Sequence, residues 1–232
     1  MIKIENTDVY GFDAAIRGMR NPMNSWDKSD SVNYSGTGTP CTGCPLEYKV
    51  CAGEVYPLSG LCFKLGDNDL ALMRKLARAG DDHGKFARFI NVTVDITAPL
   101  YWWKEFDTYK VGTVSNSCST MHKIHEKEFS VDDFSHEHLG KNPTVFLLET
   151  IRALNVARRE FLETKDKKYW WYLIQLLPMS YNQRRTVQLN YQVLNRIYHA
   201  RKNHKLDEWH VFCDWVEKLP YFKEIYLGGE DD

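Results

Sequence analysis

Between Ile90 and Thr97 the chain alternates strictly between apolar and polar residues. The apolar positions are Ile90, Val92, Val94 and Ile96. A period of two is typical of a β-strand with one buried face, so the sequence predicts a strand over 90–97. The segment from Trp102 to Lys110 then combines large rings with charges of both signs. Core packing alone rarely needs this mixture, and we therefore expect a binding site in this segment.

Helical spacing of apolar residues appears in five later segments. The predicted helices cover 69–80, 142–161, 167–177, 186–204 and 206–219. The first has capping candidates at its start and Gly80 at its end, where a left-handed residue is favoured; the capping candidates are Asp67, Asn68 and Asp69. The core positions predicted for the second helix are Val145, Leu148, Ile151, Leu154 and Phe161. Those predicted for the last helix are Trp209, Phe212, Cys213 and Val216.

Polar residues lie on the buried face predicted for helix 186–204. The positions that share this face are Asn190, Leu194, Ile197 and Arg201. Buried polar groups need hydrogen-bond partners, so the Asn and the Arg either satisfy each other and the backbone or bind a ligand. Near the start of the chain, Arg17 and Arg20 would lie one helical turn apart, either in solvent or as two cations on one side.

Composition and charge exclude several classes of protein for this chain. The 232 residues are 43% hydrophobic, enough for a proper core, and 30 Lys and Arg nearly balance 31 Asp and Glu. A net charge of -1 provides no field that recruits nucleic acid or an anionic membrane, so a bound phosphate would need local Arg or Lys. We see no leader-like start and no apolar run of membrane-spanning length, and expect a cytoplasmic protein.

Four of the six cysteines fall in one irregular stretch at about 21–66. They are Cys41, Cys44, Cys51 and Cys62. The first two form a C-x2-C pair, but the others do not repeat it, so the pattern departs from the common two-knuckle zinc site. Unpaired thiols in a long loop or small subdomain are the favoured interpretation, and a zinc site is the alternative.

Two blocks of the sequence together resemble the flavin-dependent thymidylate synthases. The first block contains His83, the strand from Ile90, and Ala98-Pro99; the second contains Leu177-Pro178 and the later Asn190 and Arg201. The resemblance covers most of 69–222 and leaves out the cysteine-bearing stretch. It implies a single α+β domain over 1–232, with an antiparallel sheet packed against a helical layer, an insertion at about 21–66, and a homotetramer.

The Arg-His-Arg signature of that family is missing. Its positions hold Thr108, Tyr109 and Lys110, and the preceding Gln becomes Glu105. The Ser, Glu and Ser that follow in the family fall at Thr113, Asn116 and Cys118, and the Arg before Leu-Pro falls at Ile174. These changes remove bidentate donors that Lys cannot reproduce in geometry. The candidate substitutes are Lys110, Arg184, Arg185 and Arg196.

The resemblance implies an FAD-dependent enzyme that moves a one-carbon unit from methylenetetrahydrofolate to the ring carbon of a pyrimidine deoxynucleotide, dUMP or a relative, with NADPH as reductant. The cofactor-binding candidates are His83, Asn190, Arg201, Tyr109 and Lys110. The substrate-binding candidates are Glu105, Asn116, Arg185 and Arg196. No residue is assigned a catalytic role.

Two further points stay open at the level of sequence. The rings of Trp102, Trp103 and Tyr109 would stack on a ligand, or the Trp pair would pack at a subunit interface. The alternative function is a nucleotide-binding or structural protein that keeps the fold without catalysis. Neither interpretation requires direct contact with nucleic acid or a membrane.

Overall fold

A computed structural model describes residues 2–33 and 63–228. The cysteines Cys41, Cys44, Cys51 and Cys62, with the zinc site considered for them, lie outside these ranges, as do the last four residues of the chain. The α-helices described are α1 (Phe12–Arg20), α2 (Asp67–Arg78), α3 (Leu100–Phe106), α4 (Lys141–Thr164), α5 (Lys167–Leu176), α6 (Tyr191–Arg201), α7 (Asp207–Glu217) and α8 (Phe222–Tyr226). The strands are β1 (Lys3–Tyr10), β2 (Val32–Asn33), β3 (Phe63–Lys64), β4 (Asn91–Pro99), β5 (Val114–Ser117) and β6 (Asn182–Asn190). Short 3-10 helices cover Asn21–Met23, Trp26–Lys28, Gly84–Arg88 and Val131–Asp133.

Four strands form one sheet in the order β1-β4-β6-β5. At one end of the central pair, the backbone N–H of Tyr191 donates to the carbonyl of Ile90 at 3.0 Å. At the other end, the N–H of Leu100 donates to the carbonyl of Tyr181, also at 3.0 Å. The residue numbers rise on one strand as they fall on the other, so the central strands run antiparallel. The expected α+β architecture with an antiparallel sheet is confirmed.

The alternating strand predicted from the sequence is β4. Its apolar residues Ile90, Val92, Val94 and Ile96 are at most 1% exposed. The polar residues between them are partly exposed. This alternation confirms that one face of the strand is buried, as the period of two predicts.

The chain divides into two compact units. The first consists of Met1–Lys3, Asp95–Thr108 and Ser115–Thr186. Within it, the rings of Trp102 and Phe106 stack at 5.1 Å between centroids, and Trp103 packs edge-on against both. Both Trp side chains are fully buried within the chain, because they build this aromatic core. The expectation that the Trp pair stacks on a ligand or at a subunit interface is therefore wrong.

The long helix α4 of the first unit buries a different stripe from the one predicted. Its buried residues are Leu147, Ile151, Leu154 and Ala157, which pack with Leu173 of α5 and with Ile124, Phe129 and Phe134. Ile151 and Leu154 confirm the prediction, whereas Val145 is 56% exposed and Leu148 is 49% exposed. The helix carries apolar residues on two sides, so periodicity alone does not select the buried side.

The second unit consists of Ile4–Val94, Tyr109–Val114 and Val187–Asp232. Its core is aromatic: Phe12 stacks on Phe63 at 5.3 Å and meets the ring edges of Tyr191 and Tyr221. All four core residues predicted for the last long helix, now α7, are buried. None of the helices within 2–33 and 63–228 has the length and apolar character to cross a membrane.

A buried ion pair organises the start of α2. Arg20 and Asp69 lie 2.6 Å apart with side chains 4% and 0% exposed, so Arg20 is not a solvated arginine. Asp69 also accepts hydrogen bonds from the hydroxyls of Ser29 and Ser31. Burial raises the pKa of the Asp69 carboxyl, but these hydrogen bonds and the Arg20 charge outweigh it and hold the pKa below its usual value.

The cap of α2 also comes from a distant residue. The carboxylate of Asp30 accepts from the backbone N–H groups of Asn68 and Asp69 at 2.9 and 3.1 Å. The residue at the cap position is Gly66, whose own side chain makes no cap. A Cβ at Gly66 would lie 2.2 Å from Cγ of Asp30, so the close approach of the capping carboxylate requires glycine here. The capping predicted for residues 67–69 is wrong for this reason.

The helix predicted over 186–204 is shorter than expected. Residues up to Asn190 belong to β6, where Gln183, Val187 and Leu189 are buried. The helix α6 begins only at Tyr191, because the side chain of Asn190 accepts a hydrogen bond from the N–H of Val193 and caps the first turn. Asn190 thus satisfies the backbone, which is one of the two roles considered for it.

Candidate functional site

Arg201, at the last turn of α6, is held by two aromatic residues of the second unit. Its Nε donates a hydrogen bond of 2.8 Å to the phenolic oxygen of Tyr109. Its guanidinium carbon lies 4.9 Å from the ring centre of Trp209 and 5.6 Å from that of Tyr109. Trp209 is fully buried, which fixes the stacking surface. This arrangement gives the guanidinium a defined orientation, as cation–π contact and a hydrogen bond together restrict its rotation.

The segment after Tyr109 packs closely against the start of α6. Gly112 has a φ of 78°, in the left-handed region that favours glycine. A Cβ there would lie 3.0 Å from Cγ2 of Val193 and 3.2 Å from Nδ2 of Asn190. The segment from Tyr109 to Gly112 therefore contacts both ends of α6. Gly112 lies near the first residue of the helix, and Tyr109 lies near the last.

Two buried polar atoms in this unit have no hydrogen-bond partner among the residues that the structure describes. They are the hydroxyl oxygen of Thr113 and the carboxamide oxygen of Asn195. Thr113 directly follows Gly112, and Asn195 lies on α6. Since buried polar groups are normally paired, these atoms mark places where a polar ligand would add hydrogen bonds.

A chain of charged and polar contacts lies around Asp81. The Asp81 carboxylate accepts from Arg196 and, at 3.1 Å, from Nε2 of Gln192. Gln192 in turn accepts a hydrogen bond of 2.6 Å from Nε of Arg88. The hydrogen bond from Arg196 lowers the pKa of Asp81, so the carboxylate stays ionised. His83 follows two residues later with an exposed side chain.

In the first unit, Arg185 is tightly engaged. Its two terminal nitrogens donate to the two carboxylate oxygens of Asp107 at 2.7 and 3.4 Å. Its guanidinium carbon lies 4.2 Å from the ring centre of the buried Trp103, and Nε donates to the side-chain oxygen of Gln183 at 2.9 Å. The Arg185 side chain is only 14% exposed. Asp107 thus occupies the fork of donors that would otherwise suit a phosphate.

The remaining candidates lie in less constrained places. Lys110 is exposed, and Asn116 is an exposed residue of β5. Glu105 is half-buried, and its backbone carbonyl accepts from the hydroxyl of Thr108. Within the described ranges no cluster of three or more His, Cys, Asp or Glu side chains has the arrangement of a metal site.

The candidates are distributed between the units in an ordered way. The cofactor-binding candidates all belong to the second unit: His83, Tyr109, Lys110, Asn190 and Arg201. Among the substrate-binding candidates, Arg196 belongs to the second unit, and Glu105, Asn116 and Arg185 belong to the first. The structure brings Tyr109 and Arg201 into direct contact.

Sequence reasoning missed the partners of these residues. Asp81 and Asp107 are unremarkable in the sequence, and each engages a predicted Arg only through the fold. Trp209 was predicted as a core residue, which it is, but its second role beneath Arg201 carries no local signal. The pairing depends on contacts between segments far apart in the chain, which no spacing rule records.

Comparison with known proteins identifies the fold of the chain. No family model matches the sequence, and no curated protein matches it at the level of sequence. Two solved structures of the flavin-dependent thymidylate synthase ThyX from Helicobacter pylori with FAD and dUMP are similar, at 14% identity, TM-scores of 0.63 and 0.64, and 97% of each chain covered. The UMP/dUMP methylase PolB from Streptomyces cacaoi, bound with 5-Br dUMP, matches at 14% identity and a TM-score of 0.57 over 98% of this chain and 95% of its own. The chain therefore has the fold of the flavin-dependent thymidylate synthases.

Proposed function

We propose that this protein is an FAD-dependent enzyme that transfers a one-carbon unit from methylenetetrahydrofolate to the ring carbon of a pyrimidine deoxynucleotide, dUMP or a relative, with NADPH as reductant. The fold supports the proposal, as do the FAD and dUMP bound by structures of similar fold. The observation that carries it is the contact between Tyr109 and Arg201. A residue that replaces part of the lost signature orients the Arg that the resemblance assigns to ligand binding.

The second unit has donors that fit FAD. The diphosphate of FAD needs cationic and hydrogen-bonding groups, which Lys110 and His83 supply at exposed positions. Thr113 and Asn195 add the buried polar atoms that have no partner in the described part of the chain. When bound, FAD would supply the hydride chemistry. The protein would supply positioning and charge, with Arg201 held in one orientation by Tyr109 and Trp209.

For the nucleotide, we propose that Arg185 and Arg196 bind phosphate and that Glu105 and Asn116 hydrogen-bond the base. Arg185 would first have to exchange its carboxylate partner Asp107 for the phosphate. Both anions accept the same fork of donors, so the exchange preserves the geometry of the guanidinium. We also propose a homotetrameric, cytoplasmic protein, as the resemblance implies.

The test is a titration of the purified protein with FAD, followed by visible absorption and by quenching of flavin fluorescence. We expect near-stoichiometric binding, weakened by Arg201→Ala, with little change in the melting temperature. Turnover of dUMP with methylenetetrahydrofolate and NADPH would then be measured on the flavin-loaded protein. Absence of a flavin band and of quenching would overturn the proposed enzyme.

A nucleotide-binding protein without catalysis is the second candidate. The observation in its favour is that Thr108, Tyr109 and Lys110 stand where the resemblance places the Arg-His-Arg signature, and no other residue is assigned a catalytic role. Calorimetry with dUMP in the absence and presence of FAD separates the two. Binding of dUMP with no flavin binding and no turnover would favour this second function.

A further inference from the structure

The helix α4 carries a second side that is exposed among the residues that the structure describes. The residues on this side are Lys141, Val145, Leu148, Glu149, Arg152, Ala153, Val156 and Glu160. Glu160 is partly exposed and the other seven are exposed. At 3.6 residues per turn, the eight positions fall within an arc of about 140° on a helix about 36 Å long. We call them the palindromic face, for the following reason.

The palindromic face has complementary residues at positions that are related by reflection through a point between residues 150 and 151. Reflection through that point exchanges Lys141 with Glu160, Val145 with Val156, Leu148 with Ala153, and Glu149 with Arg152. Each exchange relates either opposite charges or two apolar residues, and the two Val positions lie within about 10° of the centre of the face. An isologous contact between two copies of one chain needs this property, because residue i meets residue j and residue j meets residue i.

An apolar cleft lies beside the palindromic face in the same unit. It has a volume of about 350 Å³ and runs between α4 and α5, with an apolar lining that includes Ala153, Val156, Ala157, Tyr172 and Leu176. Phe146, also on α4, is 74% exposed. The same reflection relates residue 146 to residue 155. Residue 155 lies at the same height along the helix axis as the cleft.

We propose that two copies of this protein associate through antiparallel packing of their α4 helices about a two-fold axis between residues 150 and 151. Glu149 of each copy pairs with Arg152 of the other, and Lys141 pairs with Glu160. Phe146 of each copy enters the apolar cleft of its partner, which removes two large exposed rings from water. This contact is one of the two-fold interfaces that the expected homotetramer would need, and it does not depend on the proposed enzymatic function.

Charge reversal tests the register of the contact. Within one chain, Glu149→Arg and Arg152→Glu each leave two like charges at positions 149 and 152, so each variant alone should associate at least about tenfold more weakly than the wild type. An equimolar mixture of the two variants should regain association as a mixed species, because opposite charges again meet across the axis. Mass measurement by light scattering over a concentration series reads out both effects.

The mixing result separates the proposal from a change in helix stability. Repulsion within each chain persists in the mixture, so only a contact between chains explains recovery. Phe146→Ser should weaken association by a similar factor without lowering the melting temperature, since the ring is exposed in the single chain. Phe89→Ser is the matched control, because Phe89 is 50% exposed on the other unit and should leave the mass unchanged. A wild type that stays monomeric, or a mixture that fails to associate, would overturn the proposal.

Cross-linking adds a second readout. Val145→Cys and Val156→Cys in one chain lie about 16.5 Å apart along the helix axis, beyond the reach of an internal disulfide. Under oxidation they should join two chains, as peptide mass mapping would show. The pair Val145→Cys and Ala153→Cys is out of register and should cross-link much more slowly. Equal rates for the two pairs would contradict the antiparallel register.

Discussion

The phenolic oxygen of Tyr109 accepts a hydrogen bond of 2.8 Å from Nε of Arg201, across 92 residues of sequence. The bond joins a residue in the replaced signature to the end of α6. The hydroxyl of Tyr109 thus helps to fix the orientation of the Arg201 guanidinium. The relationship makes Tyr109 a positioning residue in the proposed function.

Tyr109→Phe should weaken binding of FAD or dUMP by about threefold to tenfold, the usual net value of one hydrogen bond. The ring and its contact with Arg201 remain, so the melting temperature should change little. Isothermal titration calorimetry measures the affinity, and Tyr10→Phe at an exposed position serves as the control. Equal affinities in Tyr109→Phe and the wild type would show that the orientation of Arg201 does not matter for binding.

Asp107→Asn should increase the affinity for dUMP by about twofold to fivefold, because it removes an exposed competitor for the guanidinium of Arg185. Calorimetry at low ionic strength measures the change. The matched control is Asp95→Asn, which releases Arg184 from a comparable ion pair of 2.8 Å. If Asp107→Asn binds dUMP no better than Asp95→Asn does, Arg185 is not a phosphate ligand.

Asp69→Asn should lower the free energy of unfolding by roughly 3 to 5 kcal/mol, since it leaves Arg20 as a buried charge without its counter-ion. Denaturant titration of the variant measures this loss. Asp27→Asn is the control, because Asp27 is exposed. A loss below that of an ordinary surface substitution would show that Arg20 finds another partner or reaches water.

The same pair sets a pH dependence. The pKa of Asp69 in the folded protein is below its value in the unfolded chain, which is about 3.9. The stabilisation is therefore complete above the unfolded value and is lost as the pH falls through the folded value. Asp69→Asn should remove this part of the acid sensitivity. A variant whose stability falls with acid as steeply as that of the wild type would contradict the assignment.

Cys213 and Cys118 should differ sharply in reactivity. Burial raises the pKa of the Cys213 thiol to about 11, whereas Cys118 is exposed. Iodoacetamide at mildly alkaline pH should label Cys118 quickly and Cys213 only after unfolding, because the thiolate is the reactive form. Peptide mapping by mass spectrometry reads the two sites separately. Rapid labelling of Cys213 in the native protein would mean that α7 opens readily.

The sequence predicts best where one periodicity dominates. The strand β4 alternates from Asn91 to Ala98, and α7 has a single apolar stripe, so both match the structure. The junction between β6 and α6 is different. Val187, Leu189 and Leu194 fit an alternating strand and a helical face almost equally well, and the capping role of Asn190 decides the boundary. A propensity-based argument places such a boundary poorly because the cap acts through the folded backbone.

The pairings of the candidate residues could not be predicted from the sequence. Arg185 and Arg201 were both selected from the sequence, yet their partners lie 78 and 92 residues away. The buried side of α4 could not be predicted either, because the helix carries apolar residues on two sides. Val145 and Leu148 satisfy the helical period while facing outward. Only tertiary packing decides which of two apolar sides a helix buries.

The short ladder of β2 and β3 has a consequence for engineering. It pairs Val32 with Lys64 and Asn33 with Phe63 in antiparallel register, so the described chain leaves and returns at neighbouring points. Paired residues of an antiparallel ladder have Cα atoms about 5 Å apart, a gap that a two-residue Asn-Gly turn closes. Residues 34–62 can therefore be exchanged for a tight hairpin turn, or for an unrelated folded cassette with adjacent termini, while the ladder and the rest of the second unit keep their connectivity.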